Sequence, residues 1–189
     1  NSSDFGSATR VYWTFKVLGH DAVTILDGGQ RAWDAAAKPV SKDAVNPVKV
    51  AFDANFRPEL LATADDVAKA RASGVALVDA RPVSQYKGQS KSGVVARAGA
   101  IPGAVNISQS EFYSDQKGAF VASDVIEGLV ENAGVAKDGD EITYCHTGHW
   151  ASVAWFGLSE VMGNKKTRMY DGSMTEWAAD PSREVVISE

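Results

Sequence analysis

Short apolar runs alternate with helical patterns along most of this chain, and that alternation constrains the fold more than any other feature. Residues 75–78, 142–144 and 166–170 each read as a strand, and segments of helical spacing separate them. The run at 75–78 is apolar throughout, as in a strand buried on both faces. Strands that take turns with helices predict an α/β fold, a parallel sheet with helices on both faces. The punctuation agrees. Thr63 reads as an N-cap with Asp65 and Asp66 in the first turn, and Gly74 closes that helix. Ser123 reads as the cap of a second helix, carrying Val125, Ile126, Leu129 and Val130, that Gly134 ends. Residues 150–161 and 174–178 read as a further helix and a final helical turn, and 48–52 as a short extra strand.

In such sheets ligands bind beyond the carboxyl ends of the strands, and Asp79 and Cys145 both fall at that edge. Cys145 is the single cysteine. It follows the β-type run Ile142-Thr143-Tyr144 and opens the tight loop Cys145-His146-Thr147-Gly148, with a helix directly behind. Backbone N–H groups in a loop of this shape turn inward, and the helix start adds partial positive charge. A sulfur anion at the centre is thereby stabilised, which predicts a lowered thiol pKa and a nucleophile. A lone cysteine is more often a small core residue. Its placement between strand and helix outweighs that prior.

Composition removes several function classes. A net charge of −5 argues against a nucleic-acid partner, no Lys/Arg run suggests a membrane surface, and no apolar stretch reaches spanning length. One cysteine excludes an intrachain disulfide and a multi-cysteine metal site, and leaves periplasm and cytoplasm equally open. A cysteine-dependent phosphatase needs Cys-x5-Arg, but Ala151 stands at the arginine position. Cys145, His146 and His149, with His20, make a poor metal site, because adjacent Cys and His on a tight loop do not converge on one ion. No metal is expected.

Around this loop the sequence resembles the rhodanese-type sulfurtransferases, the thiosulfate/3-mercaptopyruvate family. Leu77-Val78-Asp79-Ala80-Arg81 is similar to the family's strand ending in Asp-x-Arg. The segment Arg97-Ala98-Gly99-Ala100-Ile101-Pro102-Gly103-Ala104-Val105-Asn106 resembles its Arg-x-Gly-His-Ile-Pro-Gly-Ala-x-Asn stretch. Tyr170-Asp171-Gly172-Ser173-Met174-Thr175-Glu176-Trp177 resembles its Tyr-Asp-Gly-Ser-Trp-x-Glu-Trp ending. The resemblance covers roughly residues 58–189. Gly19 to Trp33 parallels Asn164 to Trp177, an apolar strand, an Asp-Gly turn and a helix carrying Trp. Residues 8–18 read as a helix like the one after Cys145, and residues 1–7 take the place of an active loop without its cysteine. The expected organisation is therefore the back part of an inactive rhodanese domain (1–40), a Pro-marked linker (41–58) and a catalytic rhodanese domain (59–189). It carries the expectation that a front fragment of the same protein accompanies this chain as a separate, cleaved polypeptide.

The resemblance implies transfer of sulfane sulfur from thiosulfate or 3-mercaptopyruvate, through a persulfide on Cys145, to a thiol or cyanide acceptor, without metal or cofactor. The alternative is a sulfur-carrier or binding module with little free turnover. Backbone N–H groups from His146 through Thr147, Gly148, His149 and Trp150 to Ala151 are expected to cradle the sulfur. At least one of His146 and His149 is expected to meet the donor anion or trade protons, His146 being favoured as a source of positive charge. Trp150 is expected at the pocket mouth and Trp155 in the core. Arg97 and Arg81 are candidates for clamping an anionic donor. For Arg81 a salt bridge to Asp79 that holds the wall of the site is the stronger expectation, with Asp79 orienting loops rather than acting as a base. Met174 is expected beneath the loop, and Trp33 and Trp177 to pack equivalently. Two positions depart from the family pattern: Gln85 stands where many relatives have a second donor-binding Arg, and Ala100 replaces the usual His.

Overall fold

The computed structural model describes residues 5–114 and 116–187. Residues 1–4, part of the stretch expected in place of an active loop, lie outside the described residues. The strands are β1 (Leu61–Ala62), β2 (Ala76–Asp79), β3 (Val105–Asn106), β4 (Tyr113–Ser114), β5 (Ala119–Phe120), β6 (Glu141–Tyr144) and β7 (Thr167–Tyr170). Five of them form one parallel sheet in the order β1-β7-β6-β2-β3, and β4 pairs with β5 as a small antiparallel hairpin. Asp79 pairs with Tyr144 and with Asn106, so three strands end level at one edge.

The helices are α1 (Phe5–Val17), α2 (Gly29–Ala35), α3 (Ala64–Ser73), α4 (Val83–Tyr86), α5 (Ser123–Asn132), α6 (His149–Phe156) and α7 (Ser173–Trp177). Alternation along the central strands feeds two cores. Val78 and Met169 pack with Ile126, Val130, Trp155 and Leu158 on the face covered by α5 and α6. Leu77, Ile142 and Tyr144 pack with Val67, Ala70 and Met174 on the face of α3 and α7. Helices on both faces of a parallel sheet are what the sequence predicts.

Thr63 caps α3 through a full capping box: its Oγ1 accepts the Asp66 N–H at 3.2 Å, and Asp66 Oδ2 accepts the Thr63 N–H at 2.8 Å. Gly74 follows in the left-handed region, at φ 74°. Ser123 is not a cap. It lies inside α5, and Ala122 takes the N-cap position with no side-chain bond. The helix after the cysteine loop changes character at Gly157, continuing as a π-helical stretch over Gly157–Met162. There the Phe112 ring occupies the space that a Cβ on residue 157 would need.

Two expected strands do not form. Residues 23–26 and 48–52 carry no strand, and Val48 and Val50 are strongly exposed. An isolated apolar run has no ladder to join, and without one its backbone groups stay with water. Trp33 also does not pack as Trp177 does. Trp177 is buried, whereas Trp33 is half-exposed with its indole N–H on Pro39 O at 3.0 Å. Residues 38–57 carry no helix or strand, and Asn55 and Arg57 hydrogen-bond back to Leu18 O and Val17 O. α1 is anchored on α6. Thr9 Oγ1 and Ser152 Oγ lie 2.8 Å apart between them, and Trp13 and Val17 enter the same core as Trp155.

Candidate functional site

Strand β6 delivers Cys145 to the carboxyl edge of the sheet, where the side chain is 1% exposed and free of any disulfide. The chain then turns through Gly148, at φ 77°, into α6. Backbone N–H groups of Ala151, Thr147, Trp150 and His146 hydrogen-bond the sulfur, four members of the cradle anticipated in the sequence. The Gly148 N–H faces the other way. It and the Cys145 N–H donate to Ser173 Oγ at 3.2 and 3.1 Å, and that hydroxyl donates to Tyr170 O at 2.8 Å. Met174 N–H reaches Cys145 O at 3.0 Å, and the Thr175 N–H and hydroxyl reach His146 O at 3.0 and 2.7 Å. The turn after β7 therefore holds the outer side of the loop, which leaves its inner N–H groups for the sulfur.

Burial pushes the Cys145 thiol up, and the four N–H groups offset only part of that rise, so its pKa lies above the ordinary 9.0. The expectation of a lowered thiol is corrected by this desolvation. His146 is corrected in the same sense. It is buried, and burial together with the nearby Arg81 charge depresses its imidazole to about 4 against a smaller opposing pull from Asp79. His146 is neutral at physiological pH and supplies no positive charge. Its Nε2 is buried without a hydrogen-bond partner. Thr147 is exposed, His149 half-buried at the first position of α6, and the half-buried Trp150 ring sits 5.8 Å from that of His146.

Asp79 and Arg81 form the wall. Both are fully buried. Arg81 Nε lies 2.9 and 3.1 Å from the two Asp79 carboxylate oxygens, Nη2 lies 2.5 Å from Oδ2, and the Arg81 N–H returns to Oδ1 at 3.0 Å. Nη2 also meets Gly99 O at 2.9 Å, while Nη1 is buried without a partner. Asn106 Nδ2 ties the carbonyls of Asp79 and Arg81, at 2.8 Å each. The salt bridge expected between Arg81 and Asp79 is present.

Arg97 does not act as a free clamp. Its Nε and Nη2 donate to Ala178 O and Asp180 O at 2.9 and 2.8 Å, which fastens the segment after α7. Trp155 is in the core with its indole N–H on Thr167 O, and Met174 is fully buried, both as expected. Ser173 had no role in the sequence reading. The available signal was a small hydroxyl residue directly after an Asp-Gly turn at a strand end, facing the same edge as the cysteine loop. Among the described residues no group of three or more His, Cys, Asp or Glu is placed to hold a metal ion.

Residues 63–180 match the family model for the rhodanese-like domain. A Haloferax volcanii protein named "Putative thiosulfate sulfurtransferase" is 34% identical over 183 residues, covering 94% of this chain and 63% of the relative. The "Sulfur carrier protein TtuD" of Thermus thermophilus is 31% identical over 182 residues, covering 90% of this chain and 63% of the relative. The chain thus spans just under two thirds of the length of these curated relatives. Among solved structures, EanB, as a cysteine-persulfide variant in a tetrahedral intermediate state with ergothioneine, superposes with a TM-score of 0.89 at 25% identity, covering 97% of this chain and 46% of the other.

Proposed function

The chain belongs to the rhodanese-like domain family, and on that premise we propose that it moves sulfane sulfur from thiosulfate or 3-mercaptopyruvate, through a persulfide on Cys145, to a thiol or cyanide. The observation that carries this reading is the buried Cys145 sulfur with four backbone N–H groups directed at it. With thiosulfate, the thiolate attacks the sulfane sulfur. A new S–S bond forms, the sulfur–sulfonate bond breaks, and sulfite leaves with the electron pair. Cyanide or a second thiolate then attacks the terminal sulfur, the S–S bond breaks, and Cys145 returns as thiolate. Thiolate and persulfide carry the same charge on neighbouring atoms, so one N–H cradle serves both resting forms. Arg81 Nη1 is buried and unpartnered, which makes it a side-chain donor for the donor's anionic end, and His146 Nε2, also buried and unpartnered, can join it in the tautomer that carries the proton there. Asp79 neutralises most of the Arg81 charge. The pull on an anion therefore comes largely from backbone dipoles at the start of α6.

A sulfur carrier with little turnover is the second reading. The raised thiol, the neutral His146 and Gln85 in the place of a second arginine favour it, as does the name of the Thermus relative. Incubation with donor should raise the intact mass by one sulfur, and a cyanide-dependent thiocyanate assay with thiosulfate and with mercaptopyruvate separates the two readings. Repeated turnover supports the enzyme, and one sulfur taken up without turnover supports the carrier. No uptake, or uptake that survives in Cys145→Ser, would overturn both.

A further inference from the structure

We infer that Arg10, on the first helix and outside the family-matched segment, is a positioning residue for the cysteine loop, acting through Asp171 and Gly148. This inference rests on the proposed role of Cys145 and extends the site beyond residues 63–180.

Arg10 Nη1 pairs with Asp171 Oδ1, and its side chain is 31% exposed. Its guanidinium also lies 5.0 Å from the centre of the Trp13 ring, whose side chain is buried in the core. The ion pair sits directly on the loop. A Cβ at Gly148 would overlap both Asp171 Oδ1 and Arg10 Nη1, so the pair closes directly over this position and a side chain there would have to push it aside. The same glycine holds φ 77°, a value that a side chain would strain. Asp171 begins the turn that carries Ser173, and Ser173 Oγ holds the N–H groups of Cys145 and Gly148. Arg10 therefore lies over Gly148 on one side of the loop and, through Asp171, holds the start of its brace on the other. The helix that bears it cannot drift freely, because Thr9 Oγ1 and Ser152 Oγ join α1 to α6 at 2.8 Å and Trp13 is locked in the core. Losing the arginine leaves Asp171 and Gly148 free to relax, and the N–H cradle widens around the sulfur.

The test uses the full chain with Arg10→Gln, Arg10→Lys and Asp171→Asn. Two readouts are taken: the pH profile of Cys145 alkylation by iodoacetamide, and single-turnover sulfur uptake from thiosulfate. Arg10→Gln and Asp171→Asn should each slow both reactions about tenfold, as expected for a reacting group displaced by part of an ångström. The alkylation midpoint should move to higher pH while the thiosulfate KM stays within about twofold. Arg10→Lys should recover part of the loss, and a variant combining Arg10→Gln with Asp171→Asn should be no worse than either single one. A folded Arg10→Gln protein with an unchanged alkylation profile would overturn the inference. So would a rise in KM alone, which would make Arg10 a donor-binding group. Should Arg10→Gln fail to fold, Arg10→Lys and Asp171→Asn decide by the same readouts. Alkylation needs no sulfur donor, so a parent protein that alkylates normally but takes up no sulfur would overturn the proposed function and leave the positioning role standing.

Discussion

Ser173 Oγ accepts the backbone N–H of Cys145 at 3.1 Å, from a position 28 residues further along the chain. The same oxygen accepts the Gly148 N–H, so one hydroxyl pins both ends of the cysteine loop. Ser173 does this from the left-handed region, at φ 50°, where a residue with a Cβ is disfavoured. Backbone strain at a site of this kind persists only where the surroundings over-determine it. Three hydrogen bonds to one buried hydroxyl meet that condition.

Removing the hydroxyl should therefore damage both stability and chemistry. Ser173→Ala leaves two buried N–H groups without an acceptor and is expected to destabilise by about 2–4 kcal/mol. Ser173→Gly loses the same bonds but relieves the positive φ, which should return about 1 kcal/mol. Denaturant unfolding should rank parent above glycine above alanine, and both variants should take up sulfur more slowly at saturating donor. An alanine variant as stable as the parent would show that the hydroxyl holds nothing.

How much of this was legible in the sequence depends on how local the cause is. Residues 75–78 read as a strand because an apolar run between turn signals already states its surroundings, and Thr63 reads as a cap because its hydroxyl and the acids of the first turn lie within four residues. Cys145 stood out for the same reason. Residues 23–26 and 48–52 misled because a strand needs a partner, and pairing is a long-range event. The charge of His146 was misjudged because it depends on burial against Arg81 and Asp79, which lie far away in sequence. Ser173 acts through a hydroxyl on another segment's backbone, and no spacing rule reports that.

Arg97 offers a clean separation between binding and support. Its two bonds to the carbonyls of Ala178 and Asp180 join the loop before β3 to the segment after α7. Hydrogen bonds from a charged, half-buried donor predict a loss of about 2 kcal/mol in Arg97→Ala. The donor KM should stay within about twofold of the parent. A KM that rises steeply with stability unchanged would return Arg97 to the donor site.

Activity against pH follows from two directions of shift. On the proposed mechanism Cys145 ionises to attack, and burial holds its thiol up, so catalytic efficiency should climb as pH rises through neutrality. His146, depressed to about 4, has already lost its proton there and cannot add a descending limb. His146→Ala should keep the rising profile. A descending alkaline limb present in the parent and absent from this variant would mean that the imidazole is charged in the working protein.

Stability against pH sets His146 against Glu141. Glu141 is fully buried at the start of β6, where Thr167 Oγ1 and Asn164 Nδ2 donate to its Oε1 at 2.5 and 2.9 Å and its Oε2 has no partner. Burial raises its carboxyl from 4.5 to about 7, against the pull of Thr167 and Asn164. The folded state thus holds a proton that the unfolded chain releases, and stability falls as pH rises from 4.5 through about 7. His146 has the opposite sign. Its folded value of about 4 lies below the ordinary 6.5, so the unfolded chain binds the extra proton and stability falls as pH drops through that window. Each displacement corresponds to about 3 kcal/mol, and over the shared range the two slopes cancel. Glu141→Gln keeps an acceptor for Thr167 and Asn164 but cannot ionise, so its stability should climb with pH across the whole His146 window. His146→Gln should do the reverse and lose stability as pH rises toward the Glu141 value. Urea midpoints of the three proteins, measured across the range from 4.5 to 6.5 that separates the two ordinary values, should diverge, with Glu141→Gln rising and His146→Gln falling relative to the parent as pH increases. Three parallel curves would mean that neither buried group is coupled to folding in this way.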